Sequence, residues 1–221
     1  VTDPRAVEAE PRRRRGRPPK DASRDTRQLL LDAALELFAF KGFAATTVRE
    51  IGARAGVHDS AIYFHFPSKE AMYDALFAEM GPPSLQEIAP AVDEMAALGP
   101  RAAITDLVVR LVESRSSPRG RRFASVVLRE GSGRGGPAGL VSWIEVGKQR
   151  LAEPFRRWQQ DGLVRADVPA EQLVWQLMAP LDLIWFMHLR ADVPDEVFAA
   201  AGEIVDAHLS YFFLCTLIER Q

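Results

Sequence analysis

The chain has 221 residues, 47% of them hydrophobic, and a formal net charge of −2. That is enough apolar material for one sizeable domain or two small ones, and a single cysteine, Cys215, excludes an intrachain disulfide framework. The charge is uneven: residues 1–75 sum to +2 and residues 76–221 to −4, while residues 11–20 hold six bases and no acid, which points to a polyanion at one end of the molecule.

Residues 1–22 are rich in Arg, Pro and Glu and nearly devoid of large apolar groups, so they read as a basic arm that cannot bury enough surface to order itself. A helix is expected from about Ser23. Leu30, Ala33, Ala34, Leu37 and Phe38 form its i, i+3, i+4 stripe, and Gly42 is placed to end it in a left-handed cap. Thr47 and Glu50 fit a capping box that opens a second short helix. Gly56 permits a tight turn, a third helix runs from 59 to 66, and Ser68 caps a fourth that ends before Gly81-Pro82-Pro83. About six further helices follow, with breaks at 99–100, 116–118, 131–137, 162–169 and 192–194, the last two spanning about 170–190 and 195–218. No run of alternating strands appears, so the fold expected is all-α. There is no secretory h-region and no run of eighteen apolar residues, so a cytoplasmic chain without a membrane span is expected. Cys215 reads as a small buried hydrophobe.

Two short helices joined at a glycine form a helix-turn-helix, whose second helix can enter a DNA major groove. The stretch LLDAALELFAFKGFAATTVREIGARAGVHDSAIYFHFPSKEAMYDALF, residues 30–77, resembles the DNA-binding domain of the TetR (tetracycline-repressor) family of bacterial regulators. The resemblance rests on Ala33-Ala34, Phe38, Gly42-Phe43, Thr46-Thr47-Val48, Ile51-Gly52, Ala55-Gly56-Val57, Ile62-Tyr63, His65-Phe66 and Ser68-Lys69-Glu70. It implies a homodimer, heads on a palindromic operator in double-stranded DNA, and a C-terminal domain that binds a small-molecule effector and releases the DNA. The domains expected are an arm at 1–22, a DNA-binding head at 23–81 and a ligand-binding and dimerisation domain at 82–221.

Carried onto this sequence, the reading helix is roughly 58–64. Tyr63 is the expected phosphate or base contact, with packing as the alternative. Lys69 at the start of the fourth helix is a phosphate candidate. Thr46 and Thr47 can offer hydroxyls to phosphate, Thr47 equally as a cap. Arg49 and Arg54 are each a phosphate contact or solvated. The chain departs from the family pattern at His58, Asp59, Ala61 and Phe64, and its reading helix, which also carries Ser60, holds no Lys or Arg. Asp59 can accept from a cytosine amino group or simply favour the helix N-terminus. Ala61 and Phe64 can touch thymine methyls.

A cation-free reading helix needs phosphate neutralisation from elsewhere. Arg15-Gly16-Arg17-Pro18 resembles an AT-hook core, an extended segment laid along a narrow minor groove; a solvated basic tail is the alternative. GSGRGG at 131–136 satisfies a dinucleotide-loop spacing but lacks a strand and βαβ context, so it reads as a connection, and no cofactor is expected. His188 and His208 are not level on their helices, so no metal site is expected.

The last two helices are apolar around much of their circumference and must be buried on every side. They are expected to pair with a second copy in a four-helix interface, with Leu173, Leu177, Leu181, Ile184, Phe198, Leu209 and Phe213 as candidates. Trp143, Phe155, Trp175, Met178, Asp182, Trp185 and Phe186 are candidate pocket residues. Asp182 must be paired, hydrated or protonated in such a setting. The sequence therefore points to a non-enzymatic, ligand-responsive transcriptional regulator, most simply a repressor. Its rivals are a helical carrier or enzyme with a degenerate head, and an architectural DNA-binding protein dominated by the arm.

Overall fold

The computed structural model describes residues 20–80, 92–130 and 136–218. Eleven helices are described: α1 (Lys20–Lys41), α2 (Val48–Ala55), α3 (Asp59–His65), α4 (Lys69–Met80), α5 (Val92–Leu98), α6 (Pro100–Ser116), α7 (Pro118–Glu130), α8 (Gly136–Gln160), α9 (Ala170–His188), α10 (Asp195–Ala199) and α11 (Ala201–Thr216). Among the described residues there is no strand, only an isolated antiparallel bridge between Val164 and Leu217.

Helix α1 begins three residues before the expected start, inside the stretch read as arm. Residues 20–23 contain no glycine or proline, so nothing local stops the helix from extending back over them. Its end is as expected: Gly42 takes φ +84° and donates its N–H to the Phe38 carbonyl at 3.0 Å. The region expected to be one helix over 195–218 is two. The chain turns at Ala200, whose N–H reaches back to Glu196 and Phe198.

Two apolar clusters form the interior. The first joins Leu30, Leu31, Leu35 and Phe38 of α1 to Ile51, Ile62, Met72 and Leu76 of α2, α3 and α4. It is completed by Phe123, Val126 and Val127 of α7, a helix from the C-terminal part of the chain. The second joins α5, α6, α8, α9 and α11 around Leu107, Phe155, Trp158, Leu177 and Phe212. Trp185 touches both clusters.

Helix α7 thus belongs to the head as much as to the body. Arg119 pairs with Asp32 at 3.3 Å and Glu79 at 3.6 Å, and Arg122 with Glu36 at 3.9 Å. At its far end Arg129 donates to the Phe40 carbonyl and Glu130 accepts the Phe43 N–H, both at 2.9 Å. These last two groups hold the turn between α1 and α2 from outside the head.

Candidate nucleic-acid interface

The local signals of the helix-turn-helix are realised in atoms. Thr47 accepts the Glu50 N–H at 3.2 Å, and the Glu50 carboxylate accepts the Thr47 N–H at 2.8 Å and its hydroxyl at 2.9 Å. Lys41 pairs with the same carboxylate. Chiefly that Lys41 contact, and then the Thr47 bonds, hold the Glu50 carboxyl down at about 2 against an ordinary 4.5. The anchorage of α2 by this group is therefore complete above pH 4.5 and is lost as the pH falls through about 2. A Glu50→Gln variant is expected to remove that part of the acid sensitivity. Circular dichroism of parent and variant between pH 5 and ~2 checks it; coincident acid titrations would contradict it.

Gly56 caps α2 at φ +69° and sets the turn. Gly52 lets α3 lie close, since a Cβ there would fall 2.3 Å from Ile62 Cδ1. With Ile62 and Phe66 buried at 0% and 3% exposure, the rotation of α3 about its axis is fixed. Its outer face shows Ser60, Tyr63 at 59% exposure and Phe64 at 76%. Arg49 of α2 and His58 are also exposed. Together with Ala53, Val57 and Ser60 they line an open hollow of about 480 Å³ between the two helices. Arg49 has no ion pair with a described residue, whereas Arg54 is tied to Glu36 of α1 by two contacts of 2.7 Å. Ala61 is half-buried. Asp59 opens α3, and its side chain lies outside those described. Arg15, Gly16 and Arg17 lie outside the described residues.

Two expectations are corrected. Thr46 is 1% exposed and its hydroxyl donates to the Gly42 carbonyl at 2.8 Å, so it is a brace within the turn, not a phosphate donor. Lys69 is half-buried and donates to the carbonyls of Phe43 at 2.7 Å and Thr46 at 2.6 Å, with its ammonium 4.3 Å from the Phe43 ring centroid. The ammonium is thus engaged by the free carbonyls of the turn. The Thr47 hydroxyl is likewise engaged by Glu50.

The C-terminal candidates divide. Leu173, Leu177, Leu181, Ile184, Leu209 and Phe213 are 0–8% exposed and sit in the subunit's own second cluster, not on an outer face. Phe198 is half-buried under the Arg121 guanidinium, 4.4 Å from its ring. The outer faces belong instead to Trp175, Leu183 and Met187 of α9 and to Ile204, Tyr211 and Leu214 of α11, followed by Ile218, at 37–79% exposure. Cys215 is exposed there as well, contrary to expectation.

The candidate pocket residues do not surround one space. Phe155 is a core residue, 1% exposed and 5.2 Å from the Trp158 ring. Trp175 is 45% exposed on the outer face, and Met178 packs on the second cluster. The side chain of Trp143 lies outside those described. Asp182 is paired with Arg115, whose guanidinium lies 4.7 Å from the Trp185 ring. Trp185 stacks on Phe186 at 5.0 Å, and its Nε1 is buried without a hydrogen-bond partner. A separate hollow of about 600 Å³ lies at the start of α6, between Leu98 and Asp106. Among the described residues no cluster of His, Cys, Asp and Glu could hold a metal.

An exposed recognition helix set by a glycine turn over a shared core defines a helix-turn-helix DNA-binding protein. Residues 30–76 match the family described as bacterial regulatory proteins, tetR family. The chain is 29% identical over 109 residues to the HTH-type transcriptional regulator TtgW of Pseudomonas putida, covering 49% of this chain and 77% of TtgW. It is 51% identical over 47 residues to the transcriptional repressor KstR2 of Rhodococcus jostii, 21% of this chain and 23% of KstR2. Other curated relatives are matched over about half of their length, 47% and 50% in two cases. The fold also matches that of SmeT, the repressor of the Stenotrophomonas maltophilia multidrug efflux pump SmeDEF, with a TM-score of 0.63, 20% identity, and coverage of 88% of this chain and 93% of SmeT. Residues 30–76 are thus a TetR-family DNA-binding region, and the chain as a whole resembles TetR-family transcriptional regulators.

Proposed function

We propose that the protein is a one-component repressor that binds a palindromic operator as a homodimer and is released by a small-molecule effector held in its C-terminal domain. The observation that carries this reading is the outer face of α3, where Ser60, Tyr63 and Phe64 are exposed beside Arg49 and His58. Such a face fits a major groove, with Arg49 and Tyr63 reaching the backbone on either side. Repression is supported by the likeness to KstR2 and SmeT, both described as repressors.

Dimerisation is supported by the apolar outer faces of α9 and α11. Residues 175, 183 and 187 follow a four-residue rhythm on one, and 204, 211, 214 and 218 a helical rhythm on the other. The segment Asp195–Thr216 is strongly apolar, yet only 28% of its most apolar window is buried within the subunit. Exposed apolar area of this kind marks an interaction surface. A second copy in two-fold register covers both faces at once. The effector is held where the two clusters meet, beside Trp185, which packs on both and carries a buried, unpartnered Nε1.

The test is a footprint of the full chain on the promoter of its own gene and of neighbouring genes. A protected palindrome of two half-sites is expected. A continuous, sequence-indifferent coat would favour an architectural role for the arm, and no protection at moderate salt would favour a carrier with a degenerate head. In the same assay Tyr63→Phe removes one exposed hydroxyl and is expected to cost about 1.5–3 kcal/mol of specific binding, the worth of a hydrogen bond to a charged group. Parent-like binding by Tyr63→Phe would take the hydroxyl out of the interface.

A further inference from the structure

We infer that Phe64 sets operator specificity by reading the 5-methyl group of a thymine, so that each half-site presents a thymine opposite this side chain. The inference rests on the operator-binding reading above.

Phe64 is 76% exposed, while Ile62 and Phe66 on either side are buried at 0% and 3%. The helix cannot turn to hide it, because Ile62 is lodged against the backbone at Gly52. Its ring meets the neighbouring His65 edge-on at 5.2 Å. An aromatic ring left in water on a fixed helix gains free energy only when something covers it. On the face of a reading helix, that something is DNA.

The chemistry then narrows the choice. A phenyl ring has no donor or acceptor, so it cannot form a hydrogen bond with a phosphate oxygen or with the polar edges of guanine, adenine or cytosine. The major-groove edge of the four bases carries one apolar substituent, the C5-methyl of thymine. Ala61 lies three residues back, hence on the same face of α3, and contributes a second small apolar surface beside the ring. The absence of Lys and Arg from 59–65 removes the bidentate cationic reading of guanine from this helix. Direct base reading by this helix is left to an apolar contact, to the Ser60 hydroxyl and to Asp59, a carboxylate that can accept from a cytosine amino group.

The experiment first selects operator sequences from a random duplex library with the full chain, then replaces each thymine of the enriched site in turn by deoxyuridine. That replacement deletes a methyl and leaves the pairing and the O4 acceptor intact. At one position per half-site, deoxyuridine is expected to weaken binding roughly fourfold, and at the two symmetric positions together roughly fifteenfold. Phe64→Ala should bind the thymine operator more weakly and no longer distinguish it from the deoxyuridine form, with helix content and melting unchanged. Phe64→Leu should keep part of the discrimination. An enriched operator indifferent to deoxyuridine at every position overturns the inference and leaves the operator reading standing. So does a Phe64→Ala protein that keeps the parent's ratio of thymine to deoxyuridine operator affinities. A library from which nothing is enriched overturns both readings.

Discussion

Leu214→Glu is expected to yield a folded monomer, whereas Leu177→Glu is expected to yield no folded chain. The two residues are both leucines on the last long helices, and they differ in what surrounds them. Leu214 is 79% exposed, in line with Tyr211 at 68%, while Leu177 is 0% exposed in the second cluster, among residues of α8 and α11. A carboxylate at 214 meets water in the isolated subunit and costs little there. In a two-fold assembly it appears twice, and each buried carboxylate costs on the order of several kcal/mol. At 177 the same carboxylate is forced into the second cluster, where it is unpaired or protonated at similar cost, a large part of the stability of an ordinary domain. Sedimentation at micromolar concentration and thermal melting separate the outcomes. Operator binding should fall with the dimer, because one head makes half the contacts. A Leu214→Glu protein that stays dimeric shows that the outer face of α11 is not the interface. A monomeric parent removes the dimer altogether.

What was legible in the sequence was local. The box of Thr47 and Glu50, the left-handed glycines at 42 and 56, and the buried phase of α1 all depend on residues within a few positions of one another. Their residue types admit few other readings: the structure has the box, the left-handed cap at Gly42 and the turn at Gly56 as expected, and it buries Leu30, Ala33, Ala34 and Phe38 of the α1 stripe while Leu37 is half-buried. What was not legible depended on phase or on distance along the chain. Leu177, Leu181 and Ile184 differ from Leu183 and Met187 in direction, not in type, so an all-round apolar helix gives no clue to which side meets a partner. Thr46 and Thr47 are adjacent and identical, and their fates separate because the Gly42 carbonyl sits beside the first. Asp182 finds Arg115 across 67 positions, and Phe43 finds Glu130 across 87. Nothing local announces such pairs. The membership of α7 in the head core is of the same kind, and it alters the architecture: the core formed by α1, α2, α3 and α4 is completed by Phe123, Val126 and Val127.

That dependence makes Gly120→Ala the substitution with the widest expected consequence. Gly120 lies in the first turn of α7. A Cβ at this residue would lie 2.4 Å from the Ser114 carbonyl oxygen, 2.8 Å from that of Arg115 and 2.9 Å from the Arg115 Cα. All three are backbone atoms at the end of α6, so no side chain can rotate to make room. The start of α7 must move away from α6, and α7 carries the Arg119 and Arg122 pairs, three residues of the head core, and the Arg129 and Glu130 contacts to the α1–α2 turn. Overpacking of this kind costs about 1–3 kcal/mol or more, which for a chain of this size lowers Tm by roughly 3–10 °C. Gly202→Ala is the matched control: nothing lies within 4 Å of a Cβ there, it sits within α11, and φ is not positive. It is expected to raise stability by roughly 0.5–1 kcal/mol through loss of backbone freedom in the unfolded chain. The two variants should therefore move Tm in opposite directions in the same differential scanning experiment. If Gly120→Ala melts with the parent, α7 does not abut the end of α6 as closely as these distances require, and the rigid link from the body to the head fails with it.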